Sequence, residues 1–152
     1  MNEFQREETG QWEKNEREVY TGQWMLCELN REFPTWLTIW PRERMDKLFG
    51  SKTIRTGNET FDKRFNVSSD DEVAALHILT PDCAEKILAL ADSSFGKFAI
   101  NLNSDGRLYL AVHSGHGFFD IGKGREDPAQ LRQRFTCELT WFTNMIDVFR
   151  GA

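Results

Sequence analysis

Cysteine is scarce in this chain and never patterned. Cys27, Cys83 and Cys137 are the three in 152 residues, and none forms a C-x-x-C step. That excludes a disulfide framework and a zinc knuckle. They read as reduced thiols used as small hydrophobes, which implies a cytosolic setting. Long apolar runs are also missing. Nothing approaches the ~20 residues needed to cross a bilayer, and no signal peptide is visible. Positive charge is in deficit, with 19 Lys+Arg against 24 Asp+Glu and a net charge of -5. No basic cluster interleaves with aromatics, so nucleic acid is an unsuitable partner. The acidic balance opposes docking on anionic lipid unless a local basic patch reverses the sign. Catalytic signatures are lacking as well. There is no G-x-S-x-G elbow, and Gly115, Gly117 and Gly122 follow G-x-G-x-x-x-x-G, which is neither a dinucleotide fingerprint nor a P-loop.

What the chain does hold is aromatic carbon. Twelve Phe and five Trp enrich a composition that is 39% hydrophobic and 28% charged, the balance of a globular domain. The length suffices for one domain with its own core. Residues 1–18 are polar and mostly charged, and form a separate N-terminal segment, partly disordered by expectation. Thr9-Gly10-Gln11-Trp12 recurs as Thr21-Gly22-Gln23-Trp24, a repeat compatible with two strands of one hairpin.

The organising stretch is Phe61 to Asp92. Phe61, Phe65 and Val67 read as a strand around a charged step, with clean alternation over Phe65-Asn66-Val67. Ser68 to Glu72 can cap a helix, because Ser and Asp oxygens accept the free N–H groups of a first turn. A start near Ser69 or Asp70 carries Val73, Leu76 and Leu79 inward. Thr80-Pro81 ends that helix and opens the next, with Thr80 as N-cap and Pro81 at the first helical position. Ala84, Ile87, Leu88 and Ala91 then share one apolar face, and Asp82, Glu85 and Lys86 face water.

Val19 to Asn30 reads as a strand with Trp24 and Leu26 on one face and Met25, Cys27 and Leu29 on the other. Trp36 to Trp40 is a second, with Leu37 and Ile39 opposite Trp36, Thr38 and Trp40. Arg42 to Phe49 reads as one or two helical turns, and Ser51 to Thr60 as a loop. Lys97 to His113 is the strongest hairpin signal: Phe98, Ile100 and Leu102, then Leu108, Leu110 and Val112, about an Asn103-Ser104-Asp105-Gly106 turn. Asp127-Pro128 opens a long helix with a stripe of Leu131, Phe135, Leu139, Phe142, Ile146 and Phe149, widened by Trp141, Met145 and Val148 and ended by Gly151. The fold class is α+β: a mostly antiparallel sheet carrying the long C-terminal helix and the short helix pair.

FDKRFNV, DDEVAALHILTP and EKILAL together resemble the core signature of a bacterial domain-of-unknown-function family, number 3137. VYTGQWMLCELN, from Val19, is similar to its preceding aromatic-Gly-x-Trp strand, and KFAINLNSDGRLYLAV, from Lys97, to its following hairpin. The similarity spans roughly residues 19–150, taken as one domain. Relatives often carry hydrophobic segments ahead of it. The resemblance implies a member without such a segment, or a fragment with an added Met1, and either way the cytosolic part of a bacterial, sometimes membrane-associated system.

Four aromatics stand out as a candidate interaction surface: Trp36, Trp40, Phe118 and Phe119. Tryptophan is enriched where partners bind, although a helix covering the Trp36–Trp40 face is the plainer reading. His113, His116 and Asp120 offer metal ligands from a loop at a spacing that matches no named zinc pattern. Gly122-Lys123-Gly124-Arg125 could hold a small anion. His77 reads as a packing residue with one polar tip. The sequence thus points to a non-catalytic binding or interaction module for a protein or small ligand, with no catalytic residues, cofactor or metal. The alternative is a metal-dependent hydrolase using His113, His116 and Asp120.

Overall fold

The computed structural model describes residues 22–42, 53–114 and 127–151. Among the described residues five strands form one sheet: β1 (Gln23–Glu28), β2 (Leu37–Pro41), β3 (Phe65–Ser68), β4 (Lys97–Leu102) and β5 (Arg107–His113). Their spatial order is β1-β5-β4-β2-β3, and every neighbouring pair is antiparallel. The helices are α1 (Glu59–Arg64), α2 (Glu72–Ile78), α3 (Pro81–Asp92) and α4 (Pro128–Arg150). The expected α+β class, with its long terminal helix and Thr-Pro helix pair, is what the chain adopts.

The β4–β5 hairpin forms where strict alternation meets a local turn. Gly106 sits at φ 94°, and its N–H bonds the Asn103 carbonyl at 3.0 Å. The strand that follows β1 in sequence does not lie beside it. Residues 29–36 cross the end of this hairpin, with Leu29 N–H bonding Gly106 O at 2.9 Å and Phe33 N–H bonding Ser104 O at 2.8 Å. A Cβ on Gly106 would stand 2.2 Å from the Arg31 carbonyl oxygen, so the crossing depends on glycine at that turn.

One face of the sheet is the core. Leu37, Ile39, Val67, Ile100, Leu102, Leu108, Leu110 and Val112 are buried there beneath Ile78 of α2, Ile87 of α3, and Phe142, Met145 and Phe149 of α4. Aromatic rings run through it in series: Phe61 to Phe65 at 5.0 Å, Phe65 to Phe98 at 5.4 Å, and Phe98 to Trp141 at 5.1 Å between centroids. Trp141 also donates its indole N–H to the Leu90 carbonyl at 2.8 Å, locking α4 to α3 and satisfying its one polar atom.

Three local readings are corrected. Phe61 lies on a helix, not a strand. Asn58 Oδ1 accepts the Phe61 N–H at 3.1 Å as N-cap, and Glu59 pairs with Lys63 at 2.9 Å one turn on. The loop expected to reach Thr60 therefore ends at Asn58. In α2 the cap is Asp71, which accepts the Ala74 N–H at 3.1 Å. That later start rotates the helix: Ala74, Ala75 and Ile78 go inward with Leu79, and Val73 is 66% exposed. Ser69 and Asp70 are taken up elsewhere, by Trp36. Along α4 the stripe is shifted, so that Trp141, Met145 and Val148 join Phe142 and Phe149 in the core, and Leu131, Phe135, Leu139 and Ile146 are only half-buried.

The Thr80-Pro81 joint and the Asp127-Pro128 start form as expected, with Thr80 Oγ accepting from Cys83 N at 3.2 Å and Asp127 Oδ1 from Gln130 N at 2.8 Å. The repeat at residues 9–12 and most of the 42–49 segment lie outside the described residues.

Candidate interaction surface

The strand register assembles a patch that no single strand displays. On the face away from the helices, Trp24 of β1 lies opposite Ala111 of β5, which lies opposite Ala99 of β4. The β2–β4 register, with Ile39 opposite Ile100, brings Trp40 to the level of Ala99. The next row is Leu26, Tyr109, Asn101, Thr38 and Ser68, each opposite the one before. Two alanines side by side between larger neighbours leave a depression of about 320 Å³, with Trp24 and Tyr109 on one side and Thr38 and Asn101 on the other. Trp24 is 66% and Leu26 57% exposed, although both sit in a regular strand. The helices of the described residues, α1 to α4, all contribute to the core on the opposite face.

Trp40 belongs to this surface and is half-buried. Trp36 does not. It precedes β2, donates its indole N–H to Asp70 Oδ2 at 2.7 Å, and accepts on its carbonyl from Ser69 Oγ at 2.6 Å. It straps the start of β2 to the entrance of α2. The helix expected over the Trp36–Trp40 face lies on the other side of the sheet. Phe118 and Phe119 are outside the described residues, as are His116, Asp120 and residues 122–125. His113 ends β5, exposed, opposite Lys97. Among the described residues no group of three His, Cys, Asp or Glu side chains could hold a metal ion. His77 is exposed on α2 rather than packed.

A second polar feature escaped sequence reading. Glu138, on the inner side of α4, is buried and accepts from Gln23 Nε2 at 2.8 Å, with Arg134 Nε 3.9 Å away. Ser114 donates its hydroxyl to Gln23 Oε1. A buried carboxylate is tolerated only with such partners, and this set fixes α4 against the β1–β5 end of the sheet. Gln23 and Glu138 are 115 positions apart in the chain, so no local pattern announces them.

The thiols divide by location. Cys83 is buried on α3, and burial pushes its pKa up to about 12, which leaves it an inert core side chain. Cys27 is half-buried and Cys137 exposed, so the reading of all three as buried hydrophobes holds for Cys83 only. Among the described residues no helix is long and apolar enough to span a membrane.

The architecture is an α+β domain in which one side of an antiparallel sheet is covered by helices and the other displays aromatics. The chain belongs to the family described as Protein of unknown function (DUF3137), whose pattern matches residues 18–150. No curated protein and no solved structure matches it significantly.

Proposed function

We propose that this domain is a non-catalytic interaction module and that it docks an apolar helical segment of a partner protein on the outer face of its sheet. The observation that carries the reading is the row Trp24, Ala111, Ala99, Trp40. Strands lie about 4.8 Å apart, so the backbone positions of the two tryptophans stand roughly 14 Å apart across three strand spacings. An α-helix with its side chains is about 10–12 Å across. Alanine at the floor lets such a backbone approach closely, and tryptophan supplies the large amphipathic contact that dominates binding energies. Exposed apolar groups gathered on one regular face are the usual mark of such a site. Three free cysteines support a cytosolic setting, in a bacterium by family resemblance, alone or as part of a membrane-associated protein.

Selection of amphipathic helical peptides by display against the immobilised domain tests this. Selected peptides are expected to shift the Trp24 fluorescence and to lose at least about tenfold in affinity with Ala111→Glu or Trp24→Ala, one buried interfacial aromatic being worth 2 kcal/mol or more. Peptides that bind both variants as well as the parent would refute the assignment of this face.

A further inference from the structure

At the end of the sheet where β2 ends and β3 and β4 begin, a cleft of about 520 Å³ is lined by Arg42, Lys63, Arg64 and Lys97, with the buried residues Phe65 and Phe98 behind them. Among the described residues its lining includes four cationic side chains and no carboxylate. This is a local reversal of sign in a chain of net charge -5. A neighbouring hollow shares Arg42 and Lys63 and adds Arg55 together with the carboxylates of Glu59 and Asp62.

The scaffold presents these charges in a defined way. The Arg42 backbone N–H extends the β2–β3 pairing by bonding the Arg64 carbonyl at 2.9 Å, which sets the two arginines side by side. Arg42 Nε donates to the Asp62 carbonyl at 3.0 Å, orienting the guanidinium and leaving its outer N–H groups for another acceptor. The buried Asp62 carboxylate does not line this cleft among the described residues and accepts from Thr56 and Gly57. Lys63 and Arg64 pair with Glu59 and Asp92, but all four side chains are substantially exposed, and such surface pairs are weak and readily exchanged for a better anion.

We propose that this cleft binds a phosphoryl-bearing organic anion. Guanidinium groups match phosphate oxygens in pairs, and the two lysines add point charges beside them. The volume lies in the range of small-ligand sites. The shared chemistry, a phosphate ester, has two sources: a free metabolite or a phospholipid headgroup. The cleft has no lining residue in common with the depression between Trp24 and Thr38, and the variants that test it leave that depression unchanged.

Calorimetric titration with pyrophosphate and with ADP is the test, with parallel flotation on vesicles containing phosphatidylglycerol. Saturable binding that weakens with added salt is expected, at least tenfold weaker in Arg42→Glu and in Lys63→Glu. It should be unchanged in Arg132→Glu, an equal charge change at an exposed site on α4. Vesicle flotation lost in Arg42→Glu assigns the headgroup as source, and titration without flotation assigns a free metabolite. No saturable binding of either probe or of vesicles overturns the proposal, as does equal weakening in Arg132→Glu.

Discussion

Removing the Asp62 carboxylate should loosen the loop that guards the sheet's β3 edge. Asp62 is buried on α1 and accepts three bonds: Thr56 N–H at 3.0 Å and Thr56 Oγ–H at 2.9 Å on one oxygen, and Gly57 N–H at 3.3 Å on the other. The clamped loop runs beside β3, where Ile54 N–H bonds the Val67 carbonyl at 2.9 Å and Thr53 Oγ accepts from Val67 N–H at 2.8 Å. It thereby covers backbone groups that an exposed edge would offer to other chains. Hydrogen bonds to a charged acceptor contribute about 1.5–3 kcal/mol each. Two of the three have good lengths, but Thr56 is only half-buried and Gly57 is exposed, so water replaces part of the loss. Asp62→Ala should therefore cost about 3 kcal/mol. Asp62→Asn keeps one acceptor oxygen for Thr56 and turns an amide N–H₂ toward Gly57, so it should cost only about 1 kcal/mol. For a chain of this size these losses correspond to roughly 6–12 °C and 2–4 °C in Tm. Urea unfolding followed by Trp fluorescence gives both values, and faster amide exchange at Ile54 should accompany the Ala variant. Equal losses in the two variants, or an Ala cost below about 0.5 kcal/mol, the usual range for inert surface changes, would show that the carboxylate does not hold this loop.

Two glycines separate backbone conformation from steric contact. Gly57 and Gly106 have nearly equal φ, 91° and 94°, but a Cβ at Gly57 meets nothing within 4 Å and at Gly106 meets Arg31 O at 2.2 Å. Gly57→Ala should cost about 1 kcal/mol and Gly106→Ala clearly more, about 2 kcal/mol or above. Matched losses in urea titrations would remove the clash from the account. The Cys83 thiol makes stability fall in alkali. Below pH 9.0 both folded and unfolded chains keep its proton; between 9.0 and about 12 the unfolded chain releases it and the folded chain does not. Each pH unit in that window should then cost about 1.4 kcal/mol. Cys83→Ala should flatten that decline, and identical slopes for variant and parent would contradict it. The rotation of α2 is tested by Val73→Lys, expected within about 0.5 kcal/mol of the parent, against Ile78→Ala, expected to cost about 2–5 kcal/mol. The reverse ranking in thermal melts would restore the phase read from the sequence.

The features legible in the sequence are those encoded within a few residues. Phe98 to Val112 alternates around a turn that closes on its own hydrogen bonds, and Thr80-Pro81 and Asp127-Pro128 carry their capping oxygen and their proline in adjacent positions. Errors arose where two local signals competed. Ser69, Asp70 and Asp71 can all cap a helix, and the choice of Asp71 followed from Trp36, more than thirty residues away, engaging the other two. Around Phe61 an apolar spacing common to strand and helix concealed the Asn58 cap.

The candidate site was legible only in part. Alternation placed Trp24 and Leu26 on one face of their strand and Trp40 opposite Leu37 and Ile39 on its own, a face then read as helix-covered, and it did not show that these strands stand on one surface with two alanines between them.

The chain's own order of residues settled the β4–β5 hairpin, the Thr-Pro and Asp-Pro helix starts, which side chains are oily, and which family pattern it carries, because these depend on neighbours in sequence. Strand order was settled by packing. The crossing of residues 29–36 over Gly106 inserts the β4–β5 hairpin between β1 and β2, and only that placement leaves Trp24 and Trp40 flanking Ala111 and Ala99. It also brings Arg42 and Arg64 together at the far end of the sheet, since the pairing of distant backbone segments fixes side-chain neighbours that no local pattern can express.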